Sequence, residues 1–170
     1  YHIWKHNTIK KEAKQITKGD FVVTSFYGFD KKGDNVYYTS TEVSPLERHF
    51  YKVNIKNGKK VKITKEHGTH NVSVSASGKY FIDNYSSTDV ARNVDIMDLN
   101  GNFVKRLHEA DDPLKNYNIG TIELGTLEAE DGQTLYTRMI KPYNFDPNKK
   151  YPVIIYVYGG PHAQMITDSW

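Results

Sequence analysis

Short runs of alternating apolar and polar residues fill the first two thirds of this chain, and turn-forming residues separate them. Phe21–Tyr27 is one such run and Asn71–Ala76 is another. Alternation with a period of two is typical of β-strands that bury one face. The runs are also rich in Val, Tyr, Phe and Thr, which suit a pleated, half-buried surface. The pattern therefore predicts a succession of short antiparallel strands.

The strand pattern repeats along the chain. Asn57-Gly58 and Asn100-Gly101 lie about 43 residues apart, each between two apolar runs. Asn-Gly favours a type I′ hairpin turn, in which both residues have positive φ. A second pair of turns, centred on Gly33 and Gly78, recurs at a distance of 45 residues. Each copy thus holds four short strands in about 45 residues, which is the period and strand count of a β-propeller blade.

This repeat predicts half a blade at 1–17 and two full blades at about 20–64 and 68–108. A β-sandwich also joins short strands in succession and is the alternative fold. A sandwich, however, does not require self-similarity with this period. We therefore predict a mainly β fold of four-stranded antiparallel blades, with a partial propeller over residues 1–110.

Residues 111–170 depart from the repeat. Asp131-Gly132 predicts a hairpin turn between two strand-like runs. Further on, Tyr151–Tyr158 does not alternate, because six apolar or aromatic residues follow its proline without a break. Such a run indicates a strand buried on both faces, as in a covered parallel sheet. It ends at Gly159-Gly160, and open α/β sheets place ligands at strand ends of this kind.

Composition narrows the function classes. The 170 residues are 38% hydrophobic and 13% aromatic, which excludes a disordered chain. The net charge is +3 and the basic residues are scattered, so nothing indicates a nucleic-acid surface. The absence of cysteine excludes disulfides, thiol nucleophiles and Cys-zinc sites. No apolar run is long enough to span a membrane. The chain begins without Met and stops without a closing element, so we expect a fragment of a longer protein.

Three segments resemble a known family. They are Lys150–Gln164, which reads KYPVIIYVYGGPHAQ, the preceding loop Lys141–Pro147, and Ile16–Val23 in the repeat region. Together they resemble the prolyl oligopeptidase family of serine peptidases, and most closely its dipeptidyl peptidase IV branch. The resemblance spans nearly the whole chain, and the Tyr-Gly-Gly-Pro block is its most specific part.

The resemblance implies a β-propeller followed by an α/β-hydrolase domain with a Ser/Asp/His triad, which would place the first hydrolase strands at 111–170. It implies a serine exopeptidase that removes N-terminal Xaa-Pro or Xaa-Ala dipeptides without a cofactor. Tyr158 matches the family tyrosine whose hydroxyl forms half of the oxyanion hole. None of the serines here lies in a G-x-S-x-G elbow, so we expect the triad beyond residue 170 and the chain itself to be inactive.

On the residues alone, other functions remain open. A non-enzymatic propeller scaffold and a related acyl-peptide hydrolase or esterase share these features. His67-Gly68-Thr69-His70 could suggest a metal site, but no third ligand lies nearby in sequence, so we expect a structural role and no metal. In the full-length enzyme we expect peptide substrates, no nucleic acid, a homodimer as a candidate assembly, and a periplasmic or secreted location.

Overall fold

The computed structural model describes residues 1–161 and 163–170; His162, which belongs to the motif quoted above, lies outside the described residues. These two ranges contain twelve β-strands: β1 Trp4–Asn7, β2 Glu12–Gln15, β3 Val23–Phe29, β4 Asn35–Ser40, β5 His49–Asn54, β6 Lys60–Lys62, β7 Thr69–Val74, β8 Tyr80–Ser86, β9 Asn93–Asp98, β10 Phe103–Glu109, β11 Ile122–Glu128 and β12 Thr134–Ile140. Among the described residues, no helix has the length and apolar character needed to cross a membrane.

The chain separates into two compact units. The first comprises Tyr1–Asp111 together with Asp168–Trp170, and the second comprises Asp112–Thr167. In the first unit, β1 pairs with β2, and two four-stranded antiparallel sheets follow in the orders β3-β4-β5-β6 and β7-β8-β9-β10. These sheets are consistent with the two predicted propeller blades, and the β1–β2 pair lies where the half blade is predicted; the division of residues 1–110 into a partial propeller stays a prediction. The mainly β prediction is confirmed.

The Asn-Gly turns differ from the type I′ prediction. Gly58 and Gly101 have positive φ (74° and 83°), but Asn57 and Asn100 do not. At the second turn, the Gly101 N–H instead donates to the carbonyl of Asp98 at 3.0 Å. The Asp98 carboxylate also accepts the Asn100 N–H at 2.8 Å, which holds the first half of the turn in a right-handed conformation. The type I′ assignment is therefore wrong, because an upstream side chain selects a longer loop with one left-handed glycine.

The first four-stranded sheet, β3-β4-β5-β6, is covered on both faces. Between the two blades lies a buried cluster that includes Phe50, whose ring lies 4.9 Å from Phe81 and 5.7 Å from Tyr37. On the opposite face, the stacked rings of Tyr38 and Tyr51 (5.4 Å) belong to a second buried cluster, against which apolar residues of the half blade pack. Consecutive residues of β4 are consequently buried, although their side chains point to alternate faces.

In the second unit, β11 and β12 form a regular antiparallel hairpin from Ile122↔Ile140 to Glu128↔Thr134. Gly132 in the connecting turn has a φ of 80°, so the predicted hairpin is confirmed. Residues 151–160 belong to no β-ladder, and within them Val153–Val157 is 78–95% exposed. The assignment of this run to a hydrolase sheet, like the assignment of residues 111–170 to a hydrolase domain, stays a prediction.

Candidate active site

The segment that leads to Tyr158 starts from a loop held by its own contacts. The ring of Phe145 stacks on Tyr151 at 5.3 Å, and Lys141 Nζ lies 5.1 Å from the centre of the Phe145 ring. The Asp146 N–H donates to the Tyr151 hydroxyl at 2.9 Å. These contacts fix the residue at which the apolar run begins, seven positions before Tyr158.

Tyr158 lies at the end of that run and is 56% exposed. Its phenol end lies against the backbone of Gly160, where an added Cβ would be only 2.6 Å from the ring. A phenol hydroxyl is a hydrogen-bond donor, and a donor of this kind can stabilise an oxyanion where negative charge develops. The structure thus places the Tyr158 ring against Gly160, the second residue of the glycine pair noted in the sequence. The oxyanion role of Tyr158 stays a prediction.

Buried histidines join the two blades of the first unit. His49 is 1% exposed; its Nε2 lies 2.7 Å from Glu47 and its Nδ1 lies 3.0 Å from the Thr64 hydroxyl. The same Thr64 hydroxyl accepts the Phe50 N–H at 3.0 Å, so it links the His49 ring to the backbone of its own strand. Burial, outweighing the contact with Glu47, lowers the pKa of His49.

His70, from the next blade, lies 5.1 Å from the His49 ring, centre to centre. Its Nδ1 faces the buried carboxylate of Asp83 at 2.8 Å, and its Nε2 faces the carbonyl of Glu66 at 2.9 Å. The His49–His70 contact therefore joins the two blades through rings that are both buried and held by hydrogen bonds, which is a structural arrangement.

Asp168 is a buried residue that the sequence reasoning missed. The residue is only 6% exposed. Its carboxylate accepts hydrogen bonds from His67 Nδ1 and from the Thr88 N–H, both at 2.8 Å. Its backbone carbonyl accepts from the Thr69 hydroxyl at 2.9 Å, and its N–H donates to the Leu46 carbonyl at 2.8 Å. Nothing in the local pattern around Asp168 marks it, because every partner lies far away in the chain.

The imidazole of His67 links two carboxylates. Besides Asp168, its Nε2 lies 3.2 Å from Asp89. The hydrogen bond to Asp168 raises the pKa of His67, with a smaller contribution from Asp89 and partial burial opposing both. Within the described part of the chain, no group of three or more His, Cys, Asp or Glu side chains could hold a metal ion. Both histidines of the His67–His70 segment are engaged in hydrogen bonds between elements of the first unit.

Comparison with known proteins adds a family and several relatives. The family described as "Dipeptidyl peptidase IV (DPP IV) N-terminal region" matches residues 1–92. "Probable dipeptidyl peptidase 4" of Aspergillus fumigatus is 31% identical over 175 aligned positions, covering 99% of this chain and 23% of that protein. Human dipeptidyl peptidase 8 is 30% identical, covering 94% of this chain and 19% of its own length.

A solved structure extends the similarity to three dimensions. The crystal structure of Porphyromonas gingivalis dipeptidyl peptidase 4 is 30% identical and superposes with a TM-score of 0.89, covering 99% of this chain and 24% of that one. The chain therefore spans about a quarter of the length of the relatives that it matches, and the family match covers more than half of it. On this basis the chain belongs to the dipeptidyl peptidase IV N-terminal region family.

Proposed function

We propose that this chain is part of a serine exopeptidase that removes N-terminal dipeptides with Pro or Ala in second position. The observation that carries the proposal is the continuity of the similarity. It runs through the propeller blades and the Tyr-Gly-Gly-Pro segment over 99% of the chain, in proteins named dipeptidyl peptidase 4. The triad of such an enzyme would lie beyond residue 170, as would the serine elbow.

In this proposal Tyr158 donates a hydrogen bond to the oxyanion of the tetrahedral intermediate. The contact of its phenol end with the backbone of Gly160 supports the role, because a glycine leaves room for the ring beside the main chain. A donor of this kind acts only once negative charge has formed. Its loss is therefore expected to lower kcat by about 10²–10³-fold and to leave KM nearly unchanged.

The test is Tyr158→Phe in the full-length protein, assayed on a Gly-Pro chromogenic amide. Tyr156→Phe is the matched control, since Tyr156 lies two residues earlier in the same run and is 81% exposed. We expect the control to keep wild-type kinetics. A wild-type kcat in a correctly folded Tyr158→Phe variant would contradict the oxyanion role.

The same assay distinguishes the exopeptidase from its relatives. A dipeptidyl peptidase requires a free amino terminus, so N-acetylation of the Gly-Pro substrate is expected to abolish cleavage. Release of N-acetylglycine from the acetylated substrate, without release of the chromophore, would favour an acyl-peptide hydrolase. A full-length protein that cleaves neither substrate would favour the non-enzymatic scaffold.

A further inference from the structure

Gly159 and Gly160 have different surroundings although they are adjacent. A Cβ built on Gly160 would lie 2.6 Å from Cε1, from Cζ and from the hydroxyl oxygen of Tyr158. A Cβ built on Gly159 would meet nothing within 4 Å. Heavy atoms in ordinary van der Waals contact lie about 3.5–4.0 Å apart, so a side chain at 160 cannot coexist with the observed phenol position.

We propose that Gly160 is the residue that positions the Tyr158 hydroxyl, and that the absence of a Cβ at 160 keeps open the space in which the phenol end lies. The inference rests on the oxyanion role proposed for Tyr158. It adds a specific requirement for glycine at position 160, whereas position 159 tolerates a side chain.

The effect of a methyl group at position 160 depends on which atoms it would overlap. They belong to the far end of the Tyr158 side chain, which can rotate about its two side-chain torsions. A Cβ at 160 would therefore displace the phenol by roughly 1 Å to reach ordinary contact distance. An oxyanion donor is effective only about 2.7–3.1 Å from the oxygen that it stabilises, so this displacement removes the hydroxyl from the effective range.

The experiment compares Gly160→Ala with Gly159→Ala in the full-length protein. We expect Gly160→Ala to lower kcat by about 10–100-fold with KM changed less than about threefold, because only the transition-state contact is weakened. Gly159→Ala is expected to stay within about twofold of wild type in both constants, since its methyl group enters open space.

A double-mutant cycle separates positioning from general damage. In a Tyr158→Phe background no hydroxyl remains to be misplaced, so Gly160→Ala should cause no further loss of kcat. The same fold loss in both backgrounds would overturn the inference, because it would mean that the methyl group acts on something other than the hydroxyl. An equal loss from Gly159→Ala would also overturn it.

The two proposals fail in different ways. A wild-type kcat for Tyr158→Phe contradicts the oxyanion role and, with it, this inference. A reduced kcat for Tyr158→Phe together with a wild-type kcat for Gly160→Ala overturns the positioning role alone. If Gly160→Ala does not fold, the added Tyr158→Ala substitution should restore folding by removing the ring that the methyl group strikes. Failure to restore it overturns the inference.

Discussion

The buried carboxylate of Asp168 provides a quantitative test of how the end of this chain is held to the blades. In Asp168→Asn the side-chain oxygen can still accept the Thr88 N–H, but the amide nitrogen cannot accept from His67. The lost interaction is a charge-assisted hydrogen bond at 2.8 Å. Such bonds contribute about 1.5–3 kcal/mol, and the half-exposed imidazole places this one near the lower limit, at about 1.5 kcal/mol.

Asp168→Ala removes the acceptor for the Thr88 N–H as well. That N–H then lacks the partner that it has at 2.8 Å in the native structure. Leaving a buried donor unsatisfied costs about 1–3 kcal/mol, and the partial burial of Thr88 places this cost near the lower limit, so we expect a total loss of about 2.5–3 kcal/mol in the free energy of unfolding. Asp89→Asn is the matched control, because this carboxylate contacts the same imidazole but its side chain is 70% exposed. Its expected effect is below about 0.5 kcal/mol.

The effect of Asp168→Asn also depends on pH. The folded-state pKa of His67 is raised, chiefly by the hydrogen bond to Asp168. A raised pKa means that the stabilisation is fully present below the ordinary imidazole pKa of about 6.5 and is lost as the pH rises through the folded-state value. The stability difference between wild type and Asp168→Asn should therefore be larger at a pH of about 5.5 than at about 8.5.

Urea denaturation of the 170-residue chain, followed by far-UV circular dichroism at both pH values, measures these differences. The reasoning would be refuted by a stability difference that does not change with pH. It would be refuted equally by Asp89→Asn and Asp168→Asn variants with the same stability, because burial would then not decide the strength of the contact.

Two further predictions concern the blades and the activity of the chain. Gly101→Ala should cost about 3 kcal/mol or more and Gly78→Ala only about 1–2 kcal/mol. Both glycines have positive φ, but only a Cβ at 101 would lie 2.5 Å from the backbone oxygen of Ile63 in the neighbouring blade, and equal losses in urea denaturation would contradict this. The 170-residue chain should not cleave a Gly-Pro chromogenic amide above a trace, because it has no serine elbow; turnover that survives repurification would show that this is wrong.

The amino-acid sequence by itself determined the blade architecture, because the signals for it are local. Alternation along each strand and glycines at the turns identified both four-stranded sheets, and Asp131-Gly132 identified the β11–β12 hairpin. The turn geometry at Asn100-Gly101 was missed because the Asp98 side chain, two residues upstream, selects it. The sequence also singled out the glycine pair as the end of an apolar run, but it assigned a role to Tyr158 only by resemblance to a family.

Only the tertiary structure decided features that depend on residues distant in the chain. β4 is buried on both faces because separate elements cover each face, which no pattern within β4 can show. Asp168 is held by His67 across 101 positions of sequence, and a lone aspartate near the end of a chain carries no local sign of such a partner. Even the difference between Gly159 and Gly160 required coordinates, because the torsions of Tyr158 determine which of the two α-carbons its ring lies against.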